Sequence, residues 1–175
     1  MGRSIAVFGS SEPAPGAADY ELARRLGAAL ARAGHPVVNG GYGGVMEAAS
    51  RGAREAGGEV IGVTCRAFAQ RRPNAYLTTE VATTDLLART AELIARAAGF
   101  VVLPGKAGTL AELAQLWALD RAGCLGGRPV VLLGARWQGL LDYLAAAQLL
   151  DEDQVNHTRV VRTVEHAIEA LGVRA

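Results

Sequence analysis

Little in this chain of 175 residues lends itself to metal, redox or polyanion chemistry. There are two cysteines, Cys65 and Cys124, too few for a disulfide framework and without metal-ligand spacing, so each is expected as a small buried or half-buried apolar side chain. The three histidines, His35, His157 and His166, are scattered, and no metal site is expected. Aromatic residues make up only 5% of the chain, which leaves Ala, Val and Leu to build the core. No apolar run reaches the ~18 residues that a membrane span needs. The opening Met1-Gly2-Arg3-Ser4 runs straight into a strand pattern without a secretory signal, and Ala6 stands where a myristoylation signal wants Ser or Thr. Charge of one sign is missing too. Eighteen basic and seventeen acidic residues leave a net +1, which argues against a nucleic-acid polymer or an anionic membrane as partner. These absences point to a cytoplasmic protein. Lysine is almost absent as well: Lys106 is the only one.

What is present is an apolar half of the chain, arranged in short β-rich runs that alternate with helical patterns. Ile5-Ala6-Val7-Phe8 reads as a buried strand. Tyr20 to Ala33 sets Leu22, Leu26, Ala29 and Leu30 on one helical face, and Gly34 ends it. Val37-Val38 is a strand, 45–56 a helix and Val60 to Val63 a strand. The stretch 65–76, with Arg66, Arg71 and Arg72, is the longest irregular segment; such loops are mobile or functional, and a solvated charge cluster or a contact to base or phosphate both suit it. Leu77 to Val81 is extended. A helix over 85–98 is expected to turn Leu86, Leu87, Leu93 and Ile94 inward. Phe100 to Leu103 is a strand, 108–121 a helix, and Pro129 to Leu133 a strand. A helix through Leu140, Leu141, Leu144 and Leu149, a strand at Val160-Val161 and a helix over 163–171 complete the pattern. No linker divides it, so one α/β domain is expected over 1–175: a Rossmann-like, doubly wound parallel sheet with helices on both faces. Ligands in such sheets bind at the C-terminal ends of the strands. That rule selects segments 9–16, 39–45, 64–77, 82–89, 103–109 and 133–138.

Two glycine-rich turns lie in those segments. Pro104-Gly105-Lys106-Ala107-Gly108-Thr109 joins a buried strand to a helix, and its free amides, helix dipole and Thr109 hydroxyl suit a phosphate. The same residues also fit a plain turn with Thr109 as N-cap and Glu112 closing a capping box. Asn39-Gly40-Gly41-Tyr42-Gly43-Gly44 has more glycine than a turn requires, so Gly41, Gly43 and Gly44 are candidates for close approach to a ligand or to a neighbouring strand. Ser10 and Ser11, after the first strand, are ligand hydroxyls or loop-formers. Arg89 is a site residue or a solvated one.

Together these elements resemble the Lonely Guy (LOG) phosphoribohydrolases, long mislabelled "lysine decarboxylase-like", within a wider group that includes molybdenum-cofactor carrier proteins. That family carries Pro-Gly-Gly-x-Gly-Thr-x-x-Glu after a strand, matched here by Pro104 to Glu112, and an Arg-Lys pair whose arginine corresponds to Arg89, fifteen residues before Pro104. Gly40 to Met46, Gly57 to Val63 and Val7 to Ser11 are also similar, so the resemblance covers about residues 5–145. The chain departs from the pattern at Lys106 for the second glycine, Ala107 at the variable position, and Thr90 for the lysine after the arginine. A side chain in a turn position that wants positive φ costs roughly 1–2 kcal/mol, so Lys106 is expected to reshape the turn. It then either lends its charge to a phosphate or folds across the site.

The resemblance implies hydrolysis of the N-glycosidic bond of a nucleoside 5′-monophosphate, of AMP or cytokinin-riboside-monophosphate type, to free base and ribose 5-phosphate. In that reading Glu112 and Arg89 are the catalytic residues. Gly105, Lys106, Ala107, Gly108, Thr109, Ser10, Gly41, Gly43 and Gly44 hold substrate and phosphate, no cofactor is required, and the chain is a homodimer. The alternative is a non-catalytic nucleotide or molybdenum-cofactor binding or carrier protein that uses the same phosphate turn. A pyridoxal-phosphate decarboxylase is disfavoured, because its Schiff-base lysine would have to be Lys106, in a turn.

Overall fold

The computed structural model describes residues 3–68 and 70–173. Within them seven strands form a single parallel sheet: β1 (Ile5–Phe8), β2 (Val37–Asn39), β3 (Val60–Cys65), β4 (Thr79–Thr83), β5 (Gly99–Val102), β6 (Val130–Leu133) and β7 (Thr158–Val161). Their order is β4-β3-β2-β1-β5-β6-β7, and every pairing is parallel, with Ala6 opposite both Val38 and Phe100 at the centre. The chain therefore winds one way from β1 to β4 and the other way from β5 to β7. The winding reverses between β1 and β5, which opens a crevice at their C-terminal ends.

Strands with side chains buried on both faces need cover on both, and the helices supply it. Helices α1 (Ala18–Arg32), α2 (Val45–Glu55) and α7 (Val164–Ala170) pack on one face against Ile5, Val7, Val37, Val60, Val101 and Leu133. Helices α3 (Leu86–Arg96), α4 (Ala107–Arg121) and α5 (Arg136–Ala146) pack on the other against Ala6, Phe8, Val38, Phe100, Val102 and Leu132. Each fully buried Val or Leu contributes roughly 1.5–3 kcal/mol, which suits a core poor in aromatics. Glycine permits the tightest seam: at Gly27 of α1 a Cβ would run into the backbone of Ala49 in α2.

Several expectations are corrected. Leu86 and Leu87 do not face inward; they are 49% and 79% exposed. The inward position of the first turn of α3 belongs to Arg89, which is buried with Leu93 and Ile94. Leu149 lies beyond the end of α5 and is exposed, after Gln148 takes a left-handed conformation at φ 56°. Cys65 is buried as expected, whereas Cys124 is exposed. A short helix α6 (Glu152–His157) was not foreseen. Its N-terminus is closed by a capping box between Asp151 and Gln154, and Gln154 donates to the Trp117 carbonyl at 2.8 Å.

Candidate active site

The crevice at the β1/β5 reversal is a cleft of about 230 Å³. Its walls come from the segment after β1, the turn before α2, the irregular segment after β3, Arg89 of α3, and the start of α4. Four of the six segments singled out by the strand-end rule thus meet in one place, joined by Arg89 at the edge of a fifth.

The start of α4 is unlike the expected turn. Its N-cap is Lys106, in ordinary extended backbone at φ −102°, and no side chain caps the helix. The first rung of the ladder runs from Leu110 N to the Lys106 carbonyl, 3.0 Å. The amides of Ala107, Gly108 and Thr109 therefore have no acceptor within the helix. Because the helix begins before Thr109, that residue is the third of the first turn and not the N-cap, and the Thr109–Glu112 capping box does not form. Gly105 is required for contact: a Cβ there would overlap the Thr109 hydroxyl. Thr109 itself is buried and lines the cleft with Gly108.

Glu112 lies one turn into α4, and Arg89 reaches it from α3. Arg89 Nη1 stands 3.7 Å from Glu112 Oε1, with side chains only 10% and 13% exposed. This is an ion pair without a close hydrogen bond. Burial pushes the Glu112 carboxyl up to about 7, against the opposing pull of the Arg89 charge. A carboxyl poised there exchanges protons readily at neutral pH. Arg89 is held from every side: Nε donates to the Val63 carbonyl at 2.9 Å, and the guanidinium lies 5.7 Å from the Tyr42 ring centre and 5.9 Å from that of Phe68. Gly40 makes room for it, since a Cβ there would overlap Nη2. Arg71 caps the same wall, 5.1 Å over Phe68.

Other residues named from the sequence are placed as follows. Ser10 and Lys106 line the cleft and also a neighbouring cleft of about 630 Å³, to which Gly105 contributes. Ala107 is exposed and lines neither, although its amide is one of the open three. Gly41, Gly43 and Gly44 stand behind the wall. Gly44, at φ 69°, is packed so closely on the backbone of Ser10 and Ser11 that no Cβ would fit, and Gly41, at φ 77°, faces Thr64. In their place Gly40 and Tyr42 of this turn and Met46 of α2 reach the cleft. Phe68 and Glu12 lie in selected segments 64–77 and 9–16 but are not singled out by any local sequence signal of their own. Among the described residues no group of three or more His, Cys, Asp or Glu side chains is placed to hold a metal ion, and no helix is long and apolar enough to cross a membrane.

Comparison with known proteins places the chain in a family. A relative from Mycobacterium tuberculosis, named cytokinin riboside 5′-monophosphate phosphoribohydrolase, is 32% identical over 167 residues, covering 92% of this chain and 86% of that one. Among solved structures, the molybdenum cofactor binding protein of Rippkaea orientalis superposes with a TM-score of 0.75 at 27% identity, over 97% of this chain and 95% of its own. The molybdenum cofactor carrier protein of Chlamydomonas reinhardtii does so with a TM-score of 0.74 at 26% identity, over 98% and 97%. The family model described as SLOG cluster4 matches residues 2–167. With agreement over nearly its whole length, the chain belongs to the SLOG cluster4 family, among relatives that include LOG-type phosphoribohydrolases.

Proposed function

We propose that this chain is a phosphoribohydrolase that cleaves the N-glycosidic bond of a nucleoside 5′-monophosphate, with AMP as the simplest substrate. The observation that carries the reading is the Arg89–Glu112 pair, 3.7 Å apart beside the uncapped start of α4. The phosphate takes the amides of Ala107, Gly108 and Thr109, as anions do at helix N-termini. The ribose then lies over Glu112, one helical turn away. Breaking the bond from C1′ to the base builds positive charge on the sugar. The Glu112 carboxylate stabilises that charge and takes a proton from the attacking water, while the bond electrons leave with the base, which then takes up a proton in turn, so that the carboxylate is restored by losing its own to solvent. Arg89, caged by Tyr42, Phe68 and Val63, fixes Glu112 and keeps a share of it ionised. The products are the free base and ribose 5-phosphate.

In this reading the chain acts as one domain in the cytoplasm, as a homodimer. Leu86 and Leu87 of α3 and Leu110 of α4 are exposed and are apolar side chains that a second copy would cover. The relative from Mycobacterium tuberculosis, by its name, acts on a cytokinin riboside 5′-monophosphate, which supports this class of substrate. Chromatography of AMP incubated with the purified protein tests the proposal. Release of adenine and ribose 5-phosphate, strongly slowed in Glu112→Gln, is expected.

A carrier function is the second reading. It is favoured by Lys106 at the mouth of the cleft, paired with Glu12, and by the likeness to the molybdenum cofactor proteins. A protein that binds AMP with unchanged affinity in Glu112→Gln, and never releases adenine, is a carrier.

A further inference from the structure

The chain's only lysine sits at the N-cap of α4, beside three open amides, yet its charge is turned elsewhere. Lys106 Nζ donates to Glu12 Oε1 at 2.6 Å, across 94 residues of sequence. Both side chains line the 230 Å³ cleft and the 630 Å³ cleft next to it, so the pair stands where the two meet. Its two loops are already fastened together. Ser10 N donates to the Pro104 carbonyl at 3.2 Å between them, and within the first loop Ser10 Oγ accepts from Glu12 N at 3.2 Å.

The pair is poorly suited to holding the fold. The side chains are 75% and 62% exposed, and ion pairs in that setting contribute little to stability. Nor does the backbone ask for lysine, since φ −102° is open to any residue. What the position offers is a cation at the edge of an anion cradle, neutralised by a carboxylate. A phosphate dianion can take the carboxylate's place because it carries more charge and bonds the helix amides at the same time. A neutral nucleoside can do neither.

We propose that Glu12 is a built-in stand-in for the ligand's phosphate: it occupies Lys106 in the free protein, is displaced when a phosphorylated ligand binds, and so makes the pair a selector for phosphorylated over unphosphorylated nucleosides. The inference rests on the cleft being a nucleoside-monophosphate site. Its thermodynamic signature is non-additivity. Removing Glu12 helps phosphate binding only while Lys106 is there to be freed.

The test is calorimetric titration with AMP and with adenosine, in a Glu112→Gln background that slows turnover. It compares Glu12→Gln, Lys106→Ala, the two together, and neither. Glu12→Gln is expected to tighten AMP binding about threefold, and Lys106→Ala to weaken it about tenfold. The combined variant should match Lys106→Ala, and adenosine should bind all four alike. An unchanged or weaker AMP affinity in Glu12→Gln overturns the proposal. So does an equal tightening in the Lys106→Ala background, which would show simple repulsion between Glu12 and phosphate. AMP binding to none of the four overturns it together with the nucleotide reading. AMP binding with the expected pattern, but without turnover by the native protein, removes only the hydrolase reading.

Discussion

Two turns in this molecule look alike on paper and behave differently in space. Gly40 to Gly44 and Pro104 to Thr109 both lead from a buried parallel strand into a helix, and both are rich in glycine. In the first, the polar backbone is answered from within the protein. Gly41 N donates to Asn39 Oδ1 at 2.8 Å, the Gly41 carbonyl accepts from Asn74 N at 2.8 Å, and Val45 N donates to the Ser10 carbonyl at 2.8 Å. Even Glu47, in the first turn of α2, accepts from the Tyr20 hydroxyl at 3.2 Å. In the second turn no residue has positive φ, and although neither helix has a side-chain cap, the start of α4 differs from that of α2 in having not even its first amide answered by a neighbouring loop. Glycine in the first turn lets loops pack on one another. In the second it opens room for something that is not part of the chain. A first helical amide left unanswered, and not the number of glycines, marks the ligand side.

Several changes would break or sharpen that contrast. The largest effect is expected on the open side. Glu112→Gln or Arg89→Ala should lower kcat for AMP by about 10²–10³, as the loss of a preorganised electrostatic contact does, and steady-state adenine release reads it. A stability effect of opposite sign accompanies the first of these. The Glu112 carboxyl sits at about 7 in the folded protein against 4.5 for the ordinary group, so the native state holds a proton that the unfolded chain releases. The stability from that proton is present below pH 4.5 and is lost as pH rises through 7. Gln cannot ionise, so Glu112→Gln should be more stable than the native protein by about 2–3 kcal/mol at pH 8 and equal to it near pH 4. Denaturant melts at the two pH values check this.

On the filled side, Gly44→Ala should destabilise by about 2 kcal/mol or more, since φ is 69° and Ser10 and Ser11 leave no room for a Cβ. Gly108→Ala, in the open turn, meets nothing within 4 Å and should change stability by no more than about 0.5 kcal/mol. Equal melting curves for these two alanine variants would erase the distinction between the turns.

Much of this fold was legible because its signals are local. Runs such as Phe100-Val101-Val102-Leu103 can only be buried strands, and α1 shows its inner face as Leu26 and Leu30 at helical spacing. The parallel sheet and the strand-end rule select the α4 turn and the segment that ends at Arg89, and the resemblance to the LOG proteins is what pairs Arg89 with Glu112. What was not legible depends on partners distant in sequence. Leu86 and Leu87 look like core residues, but the inward slot at that height holds Arg89, drawn in by the Val63 carbonyl and two rings. Helix α6 has almost no apolar periodicity, and its anchor is Gln154 on the Trp117 carbonyl. Lys106 is expected to reshape its turn away from positive φ, and what the sequence does not announce is its partner. Lys106 sits in extended backbone, and its partner Glu12 comes from the far end of the chain.

The most direct test of the account is a crystal structure of the Glu112→Gln variant soaked with AMP. The account predicts the phosphate within hydrogen-bond distance of the Ala107, Gly108 and Thr109 amides, with C1′ of the ribose facing residue 112. A phosphate bound at the Gly40 to Gly44 turn instead, or an α4 start left empty at saturating AMP, would contradict it.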